Sequence, residues 1–367
     1  MGKKNIIPEG MKDLLYEECD TREFIKNKVQ DVFYRFGYDE IVTPSIEFLN
    51  TFITYKNYIK EEEVYKFFDR EGRILSLKPD VTIPIARVVG AKMKSLDLPI
   101  RLKYTSNTFR MNKSLKGRQN ETLESGIELI GRGGILGDIE VLIIAIEGIK
   151  SLGLDDFKVE IGNINFFKKN FSDLGLSEEM EEKLASLLES KSLNDLNLLL
   201  DKLDITKEKK DFIKRMPWLF GGVEVLDDLL KDKFSDDIKK EIIYLKNIYE
   251  YLEELGYSKY ISFDLGMVPR VNYYTGIIFR SYIEGVSKSI LNGGRYDNLI
   301  KEYGRDTLAI GFSFDLDLIS SNYALNINKE EEIIEMKEDF IDSFKKGIKS
   351  FKEGKRIKLG KGLGGKL

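Results

Sequence analysis

Histidine is absent from the 367 residues of this chain. That absence removes the commonest general base and the commonest metal ligand, so a histidine-dependent hydrolase or zinc enzyme is excluded. Cysteine is nearly absent too, Cys19 being the only one. One thiol cannot close an internal disulfide or build a thiolate zinc site, which needs several sulfurs at short spacing, and Cys19 reads as a packing or surface residue. No metal site or cofactor is expected. No apolar run approaches the roughly 20 residues needed to span a bilayer. The stretch from Met1 to Gly10 carries Pro8 and Glu9 where a secretory leader has its apolar segment, so a cytoplasmic location is expected.

With 42% hydrophobic and 33% charged residues, the chain is long enough for one large domain and one or two smaller ones. Its formal charge of −4 gives no global attraction for nucleic acid. The one basic stretch, Lys345 to Lys366, mixes lysines with glycines and a few apolar residues such as Ile357 and Leu359. It reads as a flexible solvated tail, with a binding arm as the alternative.

Ile25, Val29, Val32, Phe33 and Phe36 recur at helical spacing, and Gly37 suits the left-handed position that ends a helix. Short β-rich runs lie at Arg73 to Leu77, Ile100 to Thr105, Glu121 to Ile130, Lys158 to Ile161, Ile261 to Asp264, Gly276 to Arg280 and Ala309 to Phe314. Their number predicts one substantial, mainly antiparallel sheet in an α+β fold. Between the two groups of strands, residues 174–255 are rich in Leu, Glu and Lys, with Ile238, Ile242, Leu245, Tyr249 and Leu252 on one stripe. This predicts a helical insertion, interrupted at Met216-Pro217-Trp218 because the residue before a proline avoids the α region. The expected organisation is a sheet domain from 1–173 and 256–319, the insertion at 174–255, and a short charged segment with a Gly/Lys tail at 320–367, where Ser320-Ser321-Asn322 reads as a loop.

In Glu121 to Ile130, period-two alternation puts Thr122, Glu124, Gly126 and Glu128 on one face and Leu123, Ile127 and Leu129 on the other. Two carboxylates sharing a pocket would suit a cationic ligand, since opposite charge relieves their repulsion. A solvated sheet face gives the same pattern, and the alternation alone leaves both open.

The neighbouring segments decide the context. Pro8-Glu9-Gly10-Met11-Lys12-Asp13, then Phe36-Gly37-Tyr38 through Pro44 and Glu47, then Leu77-Lys78-Pro79-Asp80-Val81-Thr82, then Arg101 to Gly131 with Phe109-Arg110, Gly117-Arg118 and Gly126-Ile127-Glu128-Leu129-Ile130-Gly131 follow in order. Later come Tyr273-Tyr274-Thr275-Gly276, Gly293-Gly294-Arg295-Tyr296-Asp297 and Ala309-Ile310-Gly311-Phe312. From about Pro8 to Ile319 this series resembles the catalytic domain of class II aminoacyl-tRNA synthetases and, within that class, the histidyl enzyme. The resemblance implies an antiparallel sheet flanked by helices, and a dimer built through the first motif. It also implies a histidine pocket in which Asp80 and Thr82 hold the α-amino group, Glu128 faces the imidazole, and Tyr273, Tyr274 and Tyr296 pack around or bond to the ring. For the tyrosines, core packing is the competing reading.

The chain departs from that family on the side that performs chemistry. Arg110 matches the arginine of motif 2, but Pro269 and Leu318 stand where the family has arginines that bind the ATP phosphates, and neither side chain binds an anion. Arg270 would substitute only if the backbone re-registered. Asn112 replaces a glutamate, and Glu124 replaces a glutamine, adding a negative charge. After Ile319 the sequence has no evident room for the family's anticodon-binding domain of roughly 100 residues, so tRNA binding is not expected.

These features resemble the branch of the family that is the regulatory subunit of ATP phosphoribosyltransferase. The resemblance implies a non-catalytic partner of a short-form catalytic subunit, a homodimer within a hetero-oligomer, with L-histidine as effector. A minimal histidyl-tRNA synthetase, a synthetase paralogue acting on another substrate, and a scaffold without ligand stay open. A protein needed when histidine is scarce can be translated without it, although drift in a Lys- and Ile-rich proteome gives the same count.

Overall fold

The computed structural model describes residues 6–53, 59–112, 119–171, 174–268, 272–322, 331–334 and 340–360. Gly117, Arg118, Pro269, Arg270 and the tail beyond 360 lie outside the described residues. The chain divides into two units, Met1–Tyr323 and Ala324–Leu367.

The first helix, α1 (Glu17–Arg35), carries Glu17, Glu18 and Asp20 in its first turn and Arg35 in its last, matching the sign of the helix dipole at both ends. It stops at Gly37, whose φ is +81°. Gly37 N–H bonds to Tyr34 O at 2.9 Å and Tyr38 N–H to Phe33 O at 3.1 Å, the paired closure that a left-handed glycine permits. Ile25, Val29, Val32 and Phe33 are buried as the spacing predicts, but Phe36 is 41% exposed because it already belongs to the helix end.

Next come β1 (Asp39–Glu40), β2 (Ile46–Phe48), β3 (Lys66–Phe68), β4 (Ile74–Leu77), α2 (Thr82–Lys92), β5 (Ile100–Phe109), β6 (Glu121–Ile130), α3 (Gly134–Ser151) and β7 (Phe157–Asn163). The next stretch holds α4 (Ile164–Phe171), α5 (Glu178–Glu189), α6 (Leu193–Lys202), α7 (Lys207–Arg215), β8 (Phe220–Gly221), α8 (Glu224–Leu229) and α9 (Asp236–Glu254). Unit one closes with β9 (Ile261–Asp264), β10 (Ile277–Ile283), β11 (Leu291–Arg295), β12 (Ala309–Asp315) and α10 (Leu316–Asn322).

Nine strands form the main sheet in the order β1-β5-β6-β12-β11-β10-β7-β9-β8. The pairs are antiparallel except β1 with β5 and β7 with β9, so the sheet is mixed at its flanks and antiparallel through its middle. The run at Arg73 to Leu77 belongs elsewhere, to a separate three-stranded sheet ordered β2-β4-β3. In residues 174–255, α7 ends where Met216–Trp218 forms a tight turn, and β8 then pairs with β9, so this stretch also supplies an edge strand to the main sheet.

One face of the sheet is apolar. Phe33 of α1 packs edge-on against Phe312 at 5.8 Å and stacks on Phe314 at 6.4 Å between ring centroids. The other face is covered near β5 and β6 by α2, whose Ile83, Ala86 and Val89 join Leu102, Tyr104, Tyr273 and Tyr296 in one buried cluster.

Ser320, Ser321 and Asn322 are helical, which corrects the expected loop. Asp315 Oδ1 accepts the N–H of Leu318 at 2.8 Å in the first turn of α10, and Asn322 Nδ2 donates to Leu318 O at 2.8 Å in the last.

The second unit holds β13 (Glu331–Ile334), α11 (Phe340–Lys352) and β14 (Arg356–Leu359), with the two strands parallel. Residues 345–352 and 356–359 are therefore ordered elements rather than the flexible tail expected there. Gly354, at φ +80°, lets Lys355 N–H close on Ser350 O and ends α11. Among the described residues no helix is long and apolar enough to cross a membrane.

Candidate functional site

The site lies on the sheet face beneath α2 and is assembled from four parts of the chain. The alternation of β6 holds: Leu123 is partly exposed, Ile127 and Leu129 are fully buried, and Glu124 and Glu128 project to the opposite face. Strand register places Leu102 of β5 and Gly311 of β12 beside Glu128, and Ser106 and Asp315 beside Glu124.

Asp80 comes from the turn between β4 and α2. Its Oδ1 accepts Ile83 N–H at 2.8 Å, which caps the helix start and fixes the carboxylate, and its Oδ2 accepts the Tyr273 hydroxyl at 3.1 Å. Thr82, the first residue of α2, donates to Glu128 Oε1 at 2.7 Å. Tyr296, which follows β11, donates to Glu128 Oε2. Arg110, at the exit of β5, donates from Nε to Pro79 O at 2.8 Å and stands 3.9 Å from Asp80 Oδ2.

The tyrosines pack in the core while their polar ends face the site. Tyr273 and Tyr296 are 6% and 2% exposed and belong to the core cluster, yet their hydroxyls reach the carboxylates. Their rings meet at 5.8 Å, and Tyr273 meets Tyr274 at 5.0 Å. Tyr274 requires Gly294, because a Cβ there would stand 2.7 Å from its ring. Gly311 leaves no room for any side chain beside Glu128. The two tyrosine-bearing strings are stitched together: Thr275 N–H bonds to Arg295 O at 2.7 Å and Asp297 N–H to Thr275 Oγ1 at 2.9 Å.

Burial governs the electrostatics. Desolvation pushes Glu128 up to about 8, held down in part by Tyr296 and Thr82. Desolvation likewise pushes Glu124 up to about 7, with Arg110 lowering it and Asp80 raising it. Asp80 is raised by burial against the pull of Arg110. Three carboxyl groups share one guanidinium and burial disfavours their ionised forms, so a ligand that brings positive charge would relieve them, with polar donors and acceptors at one end of the site and aromatic rings at the other.

Reasoning from sequence brought all eight candidate residues into this region: Asp80, Thr82, Arg110, Glu124, Glu128, Tyr273, Tyr274 and Tyr296. It missed Thr108, whose Oγ1 donates to Glu124 Oε1 at 2.9 Å and which pairs with Thr122 on the same face. Only the register between β5 and β6 identifies it. It also gave no role to Lys78, which is 1% exposed and donates to Thr43 O at 3.1 Å, tying the Asp80 turn to the segment before β2. Of the departures, Leu318 lies partly exposed in α10. Asn112 bonds Gln119 O at 3.0 Å and Asn120 Oδ1 at 3.1 Å, closing the base of the β5–β6 hairpin. Asn120 in turn bonds Glu9 O at 3.1 Å and Gly10 O at 2.6 Å, so the opening motif docks on that hairpin.

Comparison with known proteins is consistent with this geometry. The family model for histidyl-tRNA synthetase matches residues 10–319. The ATP phosphoribosyltransferase regulatory subunit of Clostridium botulinum is 39% identical over 342 residues, 91% of this chain and 81% of that protein. The same-named protein of Bacillus cereus is 41% identical over 318 residues, 86% of this chain and 75% of that protein. A solved ATP phosphoribosyltransferase regulatory subunit/histidyl-tRNA synthetase from Bacillus halodurans superposes with a TM-score of 0.87 at 29% identity, covering 97% of this chain and 93% of that one. Histidyl-tRNA synthetase from Nostoc shares the fold, with a TM-score of 0.81 at 20% identity over 100% of this chain and 87% of that one.

Proposed function

The chain belongs to the histidyl-tRNA synthetase family, and from that membership we propose that it serves as the regulatory subunit of ATP phosphoribosyltransferase, activating a short catalytic subunit and transmitting feedback inhibition by histidine. The observation that carries this reading is an asymmetry in the site. The carboxylates and tyrosines that would hold histidine are assembled and mutually bonded, while Leu318 occupies a position where the synthetase resemblance calls for a phosphate-binding arginine. A pocket that keeps the amino acid and loses an anion-stabilising group suits a sensor. Relatives at 39–41% identity carrying the regulatory-subunit name support the same choice.

In this reading Asp80 and Thr82 receive the α-ammonium, Glu128 the imidazole, and Tyr273, Tyr274 and Tyr296 enclose the ring. Glu124 adds charge beside them, and Arg110 balances Asp80. The effector acts by binding two conformational states of the complex with different affinity, a difference typically worth about 1–3 kcal/mol. The protein is not itself catalytic and works as a homodimer, paired through the α1–β2 region, within a hetero-oligomer. The test is reconstitution with a short-form catalytic subunit. Phosphoribosyl transfer to ATP should depend on this chain and fall when L-histidine is added. Activity indifferent to the chain, or histidine-dependent exchange of pyrophosphate into ATP by the chain alone, would return it to the synthetase reading.

A further inference from the structure

Glu124 differs from the other two carboxylates in how its oxygens are used. Asp80 and Glu128 each receive donors on both oxygens. Among the described residues Glu124 receives one donor, Thr108, on Oε1. Lys78 and Asp80 from the β4–α2 turn, Tyr104 and Arg110 from β5 and its exit, Glu128 from its own strand and Asp315 from β12 all act on it electrostatically or share its site. Four carboxyl groups therefore share this face with two cations, one of which, Lys78, is buried and turned toward Thr43.

Resting on the histidine reading above, we propose that Glu124 couples ligand binding to proton release. Its Oε2 takes one N–H of the ligand's ammonium group beside Asp80 and Thr82, and the carboxylic acid passes its proton to solvent as that ammonium arrives. The step balances: a neutral acid and an ammonium ion become a carboxylate–ammonium pair plus one hydrated proton. The pocket thereby favours an α-amino acid over the same ring and carboxylate lacking the amine. It also weakens its hold on the effector as the medium acidifies. Burial that pushes Glu124 up to about 7 sets the window in which the proton is present to be released. Glu128 and the ring contribute little net exchange at pH 7, between an imidazole value near 6.5 and the value of about 8 for Glu128. At pH 6 both are largely protonated before they meet and share one proton afterwards. That release is common to wild type and the Glu124 variant, so the difference between the two proteins reads Glu124 alone.

The experiment is titration calorimetry of the full chain with L-histidine at pH 6 and pH 7, in two buffers of different ionisation enthalpy, beside Glu124→Gln. The wild type is expected to release up to one more proton per histidine at pH 6 than the variant. Its affinity should drop about fivefold more between pH 7 and pH 6. Imidazole-4-propionate, which lacks the amine, tests the wild type without any substitution and should bind without this release. Equal proton counts for wild type and variant, or for the two ligands, would overturn the proposal. Failure of histidine to bind the wild type at either pH is a different result, and it sinks the histidine reading together with this one.

Discussion

Thr82 Oγ1 donates to Glu128 Oε1 at 2.7 Å, and through that bond the first turn of α2 is tied to the middle of the sheet. Glu128 is 1% exposed, so a donor removed there is not replaced by bulk water. Thr82→Val keeps the shape and deletes the hydroxyl. In the histidine reading that hydroxyl also receives the ligand's ammonium, and loss of a hydrogen bond to a charged group costs about 1.5–3 kcal/mol, which corresponds to about 10- to 150-fold weaker histidine binding. Calorimetry at pH 8 reads this directly. An affinity within twofold of wild type would remove Thr82 from the binding geometry.

The same carboxylate makes the ligand-free protein sensitive to pH. Glu128 rises from an ordinary 4.5 to about 8 in the folded chain, and Glu124 from 4.5 to about 7. Across those intervals the folded state binds more protons than the unfolded state. The stability these groups contribute is therefore complete below about pH 4.5 and is lost as pH climbs through 7 and 8. Glu128→Gln mimics the protonated acid at every pH. Urea unfolding should find variant and wild type nearly equal at pH 5 and the variant more stable at pH 8. Parallel pH profiles for the two proteins would mean that Glu128 ionises in the fold without penalty.

The residues behind these effects differ in how visible they are in the sequence. Glu124 and Glu128 were legible as a pair because β6 has one apolar and one polar face, and Gly37 was legible as a stop because little else tolerates φ +81°. β11 was not legible as a strand, since two adjacent glycines depress strand propensity. The fold needs both of them: a Cβ on Gly293 would meet the Phe279 ring at 2.5 Å on one face, and one on Gly294 the Tyr274 ring at 2.7 Å on the other. β13 and β14 have four residues each and gain their identity from pairing with each other, which no local pattern reveals. The convergence of Asp80, Arg110 and Tyr273 on the β6 face came from family resemblance. Alternation within a strand says nothing about what another element lays over it.

On the opposite face of the sheet, Arg295 and Asp138 form an ion pair that is nearly dry, the two side chains being 6% and 0% exposed. Tyr244 of α9 donates to Asp138 Oδ2 at 2.5 Å, and Asp297 Oδ1 accepts from Arg295 at 3.1 Å, so the network joins β11, α3 and α9. Asp138→Ala leaves a buried guanidinium with Asp297 as its remaining carboxylate partner in this network. Removing one partner of a buried pair typically costs about 3–5 kcal/mol, because the surviving charge is cut off from water and has lost the more deeply buried of its two carboxylates. Urea unfolding should show a loss of that size. Successive residues of β11 point to opposite faces, so Arg295 is turned away from the side that Gly294 presents to Tyr274. Histidine affinity of the folded variant should accordingly stay within about twofold of wild type, well under the roughly 1 kcal/mol level at which a binding contact registers. A variant that keeps its stability but loses histidine binding would place this network in the site rather than beneath it.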